Sequence, residues 1–121
     1  FFLDHPNLPE DKIPYWDYSV PGGPDVQRDA SAGAIMASAL LELARYPTGK
    51  KRNEYLNVAK QIIVSLSSPA YLAEPGTNGG FLLKHSIGSI PHKSEIDVPL
   101  TYADYYFVEA LLRLKKWYLK N

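Results

Sequence analysis

No cysteine occurs in the 121 residues, which excludes disulfides, thiolate nucleophiles and cysteine-held metal centres. Charge of either sign is not in excess: 13 basic and 13 acidic side chains leave a formal net charge of zero. A chain without a net positive field has no electrostatic pull toward nucleic acid or an anionic membrane surface. No apolar run approaches the ~20 residues that a bilayer crossing needs. Neither nucleic acid nor membrane is therefore expected as a partner. Compartment stays open between periplasm and cytoplasm. The opening residues, Phe1-Phe2-Leu3-Asp4-His5, show no initiator methionine and no signal-peptide pattern, and they read as the middle of a longer chain.

Local signatures of common chemistries are also missing. His5, His85 and His92 stand apart without ligand spacing, so no metal and no cofactor is expected. Gly76-Thr77-Asn78-Gly79-Gly80 lacks the Lys-Ser/Thr of a phosphate-cradling loop and reads as turn chemistry. Nothing resembles a nucleophile elbow.

What the chain does have is proline early, aromatics throughout and helical patterning later. Pro6, Pro9, Pro14, Pro21 and Pro24 precede residue 29, a density that no helix survives. This stretch is expected to be a long ordered loop, because Ile13-Pro14-Tyr15-Trp16-Asp17-Tyr18 is too aromatic for a linker. From Asp29 the texture changes. Asp29 or Ser31 is a plausible N-cap, and Ala32, Ile35, Ala39, Leu40, Leu43 and Ala44 form a helical stripe. The intervening positions are small or apolar too, so this helix is expected to be buried on most sides until Pro47 and Gly49 end it.

A second helix is predicted from about Lys51 to Ser67, amphipathic, with Tyr55, Val58, Ala59, Ile62, Ile63 and Leu66 facing inward. Glycines then bracket Phe81 to Ile87, a short strand or extended loop. Residues 90–99 read as irregular. Thr101 is expected to cap a third helix whose stripe is Ala103, Tyr106, Phe107, Ala110, Leu111, Leu114, Trp117 and Tyr118, with Lys115, Lys116 and Lys120 in its last turns. The expected class is all-α, three long helices joined by long Pro/Gly-rich loops within one partial domain spanning residues 1–121.

Three acids and one base stand out. Asp17 lies between two aromatic faces in Trp16 and Tyr18, which suit sugar rings as well as core packing. Arg28 precedes the first helix, where an arginine and backbone N–H groups together can hold a sugar carboxylate or sulfate. Against that, Asp29 can simply cap the helix while Arg28 pairs with a neighbouring acid. Asp104 reads as a first-turn acid that favours the helix dipole.

Several stretches, in order, resemble the unsaturated glucuronyl hydrolases (glycoside hydrolase family 88). They are Ile13 to Tyr18, Arg28-Asp29-Ala30-Ser31-Ala32-Gly33-Ala34-Ile35, Ser67 to Leu72, Asn78 to Ser86, and Tyr102-Ala103-Asp104-Tyr105-Tyr106-Phe107-Val108-Glu109-Ala110-Leu111. The resemblance implies the C-terminal part of an (α/α)6 barrel of twelve helices. It also implies a glycosidase that acts on unsaturated uronic acid disaccharides released by polysaccharide lyases, as in glycosaminoglycan degradation. One carboxylic acid protonates the 4,5 double bond while water adds, and the hemiketal opens to release the second sugar. The family's acid pair comes from the N-terminal half of the barrel, which nothing here matches. No catalytic residue is assigned, and the fragment is expected to be inactive alone. The resemblance does carry over Ser86 and Ser89 as substrate contacts, with Trp16, Asp17 and Arg28 lining the cleft. Members that prefer sulfated fragments have a lysine where this chain has Pro91, which sets sulfate preference in question. Two other readings stay open. One is a non-catalytic carbohydrate-binding module; the other is a structural piece that self-associates or is completed by the missing N-terminal part.

Overall fold

The computed structural model describes residues 1–119. Helix α1 runs Ala30–Leu43, α2 Gly49–Leu66 and α3 Thr101–Trp117, and between the last two a two-stranded antiparallel hairpin pairs β1 (Ser86–Ser89) with β2 (Ser94–Val98). The hairpin corrects the expectation of irregular chain over residues 90–99. Its register puts Ser86 opposite Val98 and Ile87 opposite Ile96, with a bulge between. Lys93, Glu95 and Asp97 take positive φ, which breaks the alternation that sequence patterning looks for.

Helix α1 is central, packed against α2 on one side and α3 on the other. Asp29 is its N-cap: the carboxylate accepts from Ser31 N at 3.0 Å and Ser31 Oγ at 2.6 Å. Close packing is set by small side chains. Ala30, Ala34 and Ala37 of α1 and its C-cap Ala44 are fully buried, as are Ala59 of α2 and Ala103 and Ala110 of α3. Gly33 belongs to the same seam, because a Cβ there would lie 3.0 Å from Ile13 Cδ1.

Which face of α1 is buried differs from the expected stripe. Leu40 and Ala44 are inside, but Ile35 and Leu43 are 40% and 48% exposed. On a helix apolar nearly all round, the sequence cannot say which sides have neighbours in this chain. Helix α2 follows its pattern, with Ala59, Ile62, Ile63 and Leu66 buried. Helix α3 is capped by Leu100, which has no side-chain hydrogen bond, and Thr101 is its first helical residue rather than its cap. Its buried line is Ala103, Phe107 and Ala110, while Tyr105, Val108 and Leu112 stand exposed on the other side. Lys115 and Lys116 lie in its last turn as expected; Lys120 falls outside the described residues.

The proline-rich segment is ordered. Tyr15 and Arg28 form an antiparallel bridge, and Trp16 N donates to Gln27 O at 3.2 Å, which closes the loop between them. Asp29 N donates to Pro14 O and Ser65 Oγ donates to Asp11 O, so the loop is fastened to α1 and α2. Ile13 and Pro14 are buried beneath it.

Candidate functional site

The N-terminal end of α1 gathers polar groups from three parts of the chain. Asp29 Oδ1, besides capping α1, accepts from Ile87 N of β1 at 3.2 Å. Ala30 N, one of the helix's first donors, is satisfied by His85 O at 3.0 Å. The start of β1 is thereby docked on the start of α1. Between these two anchors sits Ser86, fully buried, and its Oγ has no hydrogen-bond partner among the described residues. An unpaired buried hydroxyl costs about 1–3 kcal/mol, so a native site that keeps one calls for a reason.

The hairpin is braced from outside. His85 Nδ1 lies 2.6 Å from Asp97 Oδ1, linking the residue before β1 to the bulge in β2. Both residues hold left-handed backbones, φ 64° for His85 and 54° for Asp97, a conformation that side chains bear at a cost. Ser89 Oγ is 2.7 Å from His92 Nδ1 across the hairpin turn. The Tyr102 hydroxyl at the start of α3 meets Ser31. Burial raises its pKa, the Ser31 hydrogen bond opposes that, and the nearby carboxylates of Asp29 and Glu95 add to the rise. Asp104 does more than favour the helix dipole: its carboxylate accepts from Leu82 N at 2.8 Å and Leu83 N at 3.0 Å. That contact pins the glycine-bracketed loop leading to Ser86.

The sequence-derived candidates fall into two groups. Ser86 and Ser89 share the hairpin, and Arg28 stands beside it, next to Asp29 in the chain and on the wall of a cavity that also takes in His85 and Asp97. Arg28 Nη1 donates to Asp11 Oδ1 at 2.7 Å, Ile13 O at 2.8 Å and Tyr71 OH at 3.3 Å, with the guanidinium over the Tyr15 ring. The alternative of pairing with a neighbouring acid is the one realised, and the acid is Asp11. Trp16 is half-buried and belongs to the closed proline-rich loop. Asp17 turns back on its own backbone, accepting from Ser19 N at 2.8 Å, and no hydrogen bond ties either residue to the hairpin. A cavity of about 260 Å³ opens beside this network, lined by Arg28, Tyr71, His85, Asp97, Asp25 and Gln27 among others. Among the described residues no cluster of histidine and carboxylates could hold a metal.

Asp11, Tyr71, Asp97 and Tyr102 were not singled out by the sequence reading. Asp11 meets Tyr71 OH at 3.1 Å across 60 residues of chain, a pairing that no local pattern encodes.

No family model matches the chain. It is 48% identical over 120 residues to the unsaturated glucuronyl hydrolase of Formosa agariphila, covering 99% of this chain and 29% of that protein. With the unsaturated glucuronyl hydrolase of Bacillus sp. (strain GL1) it shares 35% identity over 118 residues, covering 92% and 31%. A crystal structure of an unsaturated glucuronyl hydrolase specific for heparin superposes with a TM-score of 0.90 at 48% identity, over 100% of this chain and 33% of that one. A mutant Streptococcus agalactiae enzyme complexed with dGlcA-GalNAc6S gives 0.83 at 30% identity, over 91% and 29%. The chain thus spans about 30% of the relatives it matches, corresponding to their C-terminal portion. Its three helices match part of their (α/α)6 barrel.

Proposed function

Because the chain belongs to the unsaturated glucuronyl hydrolase family, as a C-terminal portion, we propose that it forms one wall of the substrate cleft in an enzyme that hydrates unsaturated uronic acid disaccharides. The observation that carries the reading is the placement of β1, which two backbone anchors dock on the N-terminus of α1, with Ser86 enclosed and Ser89 half-buried along the strand. Ser89, half-buried on the same strand, would meet a sugar hydroxyl directly, whereas the enclosed Ser86 hydroxyl would be reached only if β1 shifts on binding. The His85–Asp97 brace and the Asp104 contact hold that strand in place before substrate arrives.

The chemistry itself asks for a carboxylic acid that can give a proton to the double bond, and then a water to complete the hemiketal. Asp29 is unsuited to that part, since its Oδ1 already accepts three hydrogen bonds that cap α1 and hold β1 on it. Asp17 is committed to its own turn. The acids would therefore come from the part of the barrel that lies outside this chain. That part would also cover Ile35 and Leu43 of α1 and Tyr105, Val108 and Leu112 of α3, apolar side chains that this chain leaves in solvent.

The test is loss of the double-bond ultraviolet absorbance of an unsaturated chondroitin disaccharide and its heparin-derived counterpart, with solution mass measured in parallel. No turnover by the chain alone, and turnover once the rest of the barrel is supplied, supports the reading. Turnover by the chain alone would place the acids here, and Asp17 and Asp29 would be the first to mutate.

A further inference from the structure

At the other end of α1, 14 residues and so on the order of 20 Å from Asp29, the structure holds a second polar cleft. It measures about 290 Å³ and is lined by Arg45, Arg52, Trp117 and Tyr118. Arg45 follows α1, Arg52 lies in the first turn of α2, and the aromatics close α3. The frame is fixed: Tyr118 OH donates to Leu41 O at 2.6 Å, and Trp117 is faced by Arg113, which itself donates to Ser38 O at 2.9 Å. The Arg45 guanidinium stacks 4.5 Å over the Trp117 ring and the Arg52 guanidinium 5.7 Å over the Tyr118 ring.

Stacking uses the faces of the two guanidiniums and leaves their N–H edges for an acceptor. Few acceptors are at hand. Arg45 has a single 3.6 Å contact with Glu42, whose carboxylate is shared with Arg113, and Arg52 makes no salt bridge among the described residues. Lys50 lies in the same first turn of α2, while Lys51 is engaged by Glu54 at 3.0 Å. In a chain of zero net charge, this end is locally basic.

We propose that this cleft is a second carbohydrate site, which takes the carboxylated or sulfated end ring of an acidic saccharide. The two arginines clamp its oxyanion and the half-buried aromatics Trp117 and Tyr118 meet the ring. The volume, at the small end for ligand sites, admits one ring rather than a polymer stretch. The choice of an acidic sugar among anions rests on the proposed function. The site itself lies at the opposite end of α1 from Ser86, and it would hold saccharide without turning it over.

The test is fluorescence titration of the Trp16→Phe protein, in which Trp117 is the sole tryptophan. The probes are an unsaturated sulfated heparin disaccharide, its unsulfated counterpart, and polyglutamate as an acidic peptide. The expected result is saturable, salt-sensitive quenching by at least one saccharide. Arg45→Ala or Arg52→Ala would weaken it about tenfold with unchanged circular dichroism, whereas Ser86→Ala would leave it in place. Response to both saccharides assigns the oxyanion to the carboxylate, and response to the sulfated one alone assigns it to sulfate. No saccharide response, a response to polyglutamate alone, or affinity unaffected by both arginine changes would overturn the proposal. The ultraviolet turnover assay does not depend on this cleft, so failure there would bear on the proposed function alone.

Discussion

Ser86 combines total burial with a hydroxyl that has no partner among the described residues, while Ser89 stays half-buried on the same strand. Replacing a hydroxyl that has no partner removes a desolvation cost and no bond. Ser86→Ala is therefore expected to leave Tm unchanged or slightly raised. Ser89→Ala, at the half-buried hydroxyl, is expected to raise KM about fivefold in the completed enzyme, equivalent to ~1 kcal/mol. A loss of Tm in Ser86→Ala would mean that its hydroxyl has a partner in the fold, and an unchanged KM in Ser89→Ala would remove that residue from the cleft. At the same scale, burial pushes the Tyr18 phenol up to about 12, and burial with the Asp11 carboxylate pushes Tyr71 up further. Raised folded pKa values mean that the folded state holds these protons more tightly. The stability they contribute is full below pH ~10 and is lost as pH rises through the folded values. Alkaline unfolding should begin above pH ~10 and shift to higher pH in Tyr18→Phe, as followed by circular dichroism.

Among the elements, α1 depends most on its cap and its smallness. Asp29→Ala removes the acceptor for Ser31 N, Ser31 Oγ and Ile87 N at once, and should cost about 2 kcal/mol in urea unfolding. Asp29→Asn, which keeps an acceptor, should cost less. The seam against Ile13 and Ile62 admits little volume, so Gly33→Val should cost about 1–3 kcal/mol by the same measurement. How each element could be read in advance differs. The 3.6-residue periodicity of α2 gave its inner face, because that helix has one wet side and one dry side. On α1 the pattern was apolar all round, so the sequence announced burial but not its direction. The hairpin escaped notice because positive φ at Lys93, Glu95 and Asp97 produces a bulged ribbon without the alternation of a regular strand.

At the level of the molecule, the line of Tyr105, Val108 and Leu112 on α3 is apolar surface on the side opposite the helix's own core. If the rest of the barrel seats there, Val108→Asp should leave the secondary structure of this chain intact. It should nevertheless abolish assembly with the remaining part, as read by solution mass on mixing. Assembly that tolerates the charge would remove α3 from that interface.

Composition and pattern by themselves determined that this chain is helical, uncharged overall, free of thiol chemistry, and similar in ordered motifs to one sugar-processing family. Those are local properties, written in spacing and residue type. The tertiary structure decided the rest: that Arg28 is occupied by Asp11 and Tyr71, that Asp104 holds a loop, and that Ser86 is buried without a partner. Each of these depends on groups 17 to 43 residues apart meeting, or on what fails to meet a buried hydroxyl. Such proximity is created by packing and has no trace in local sequence.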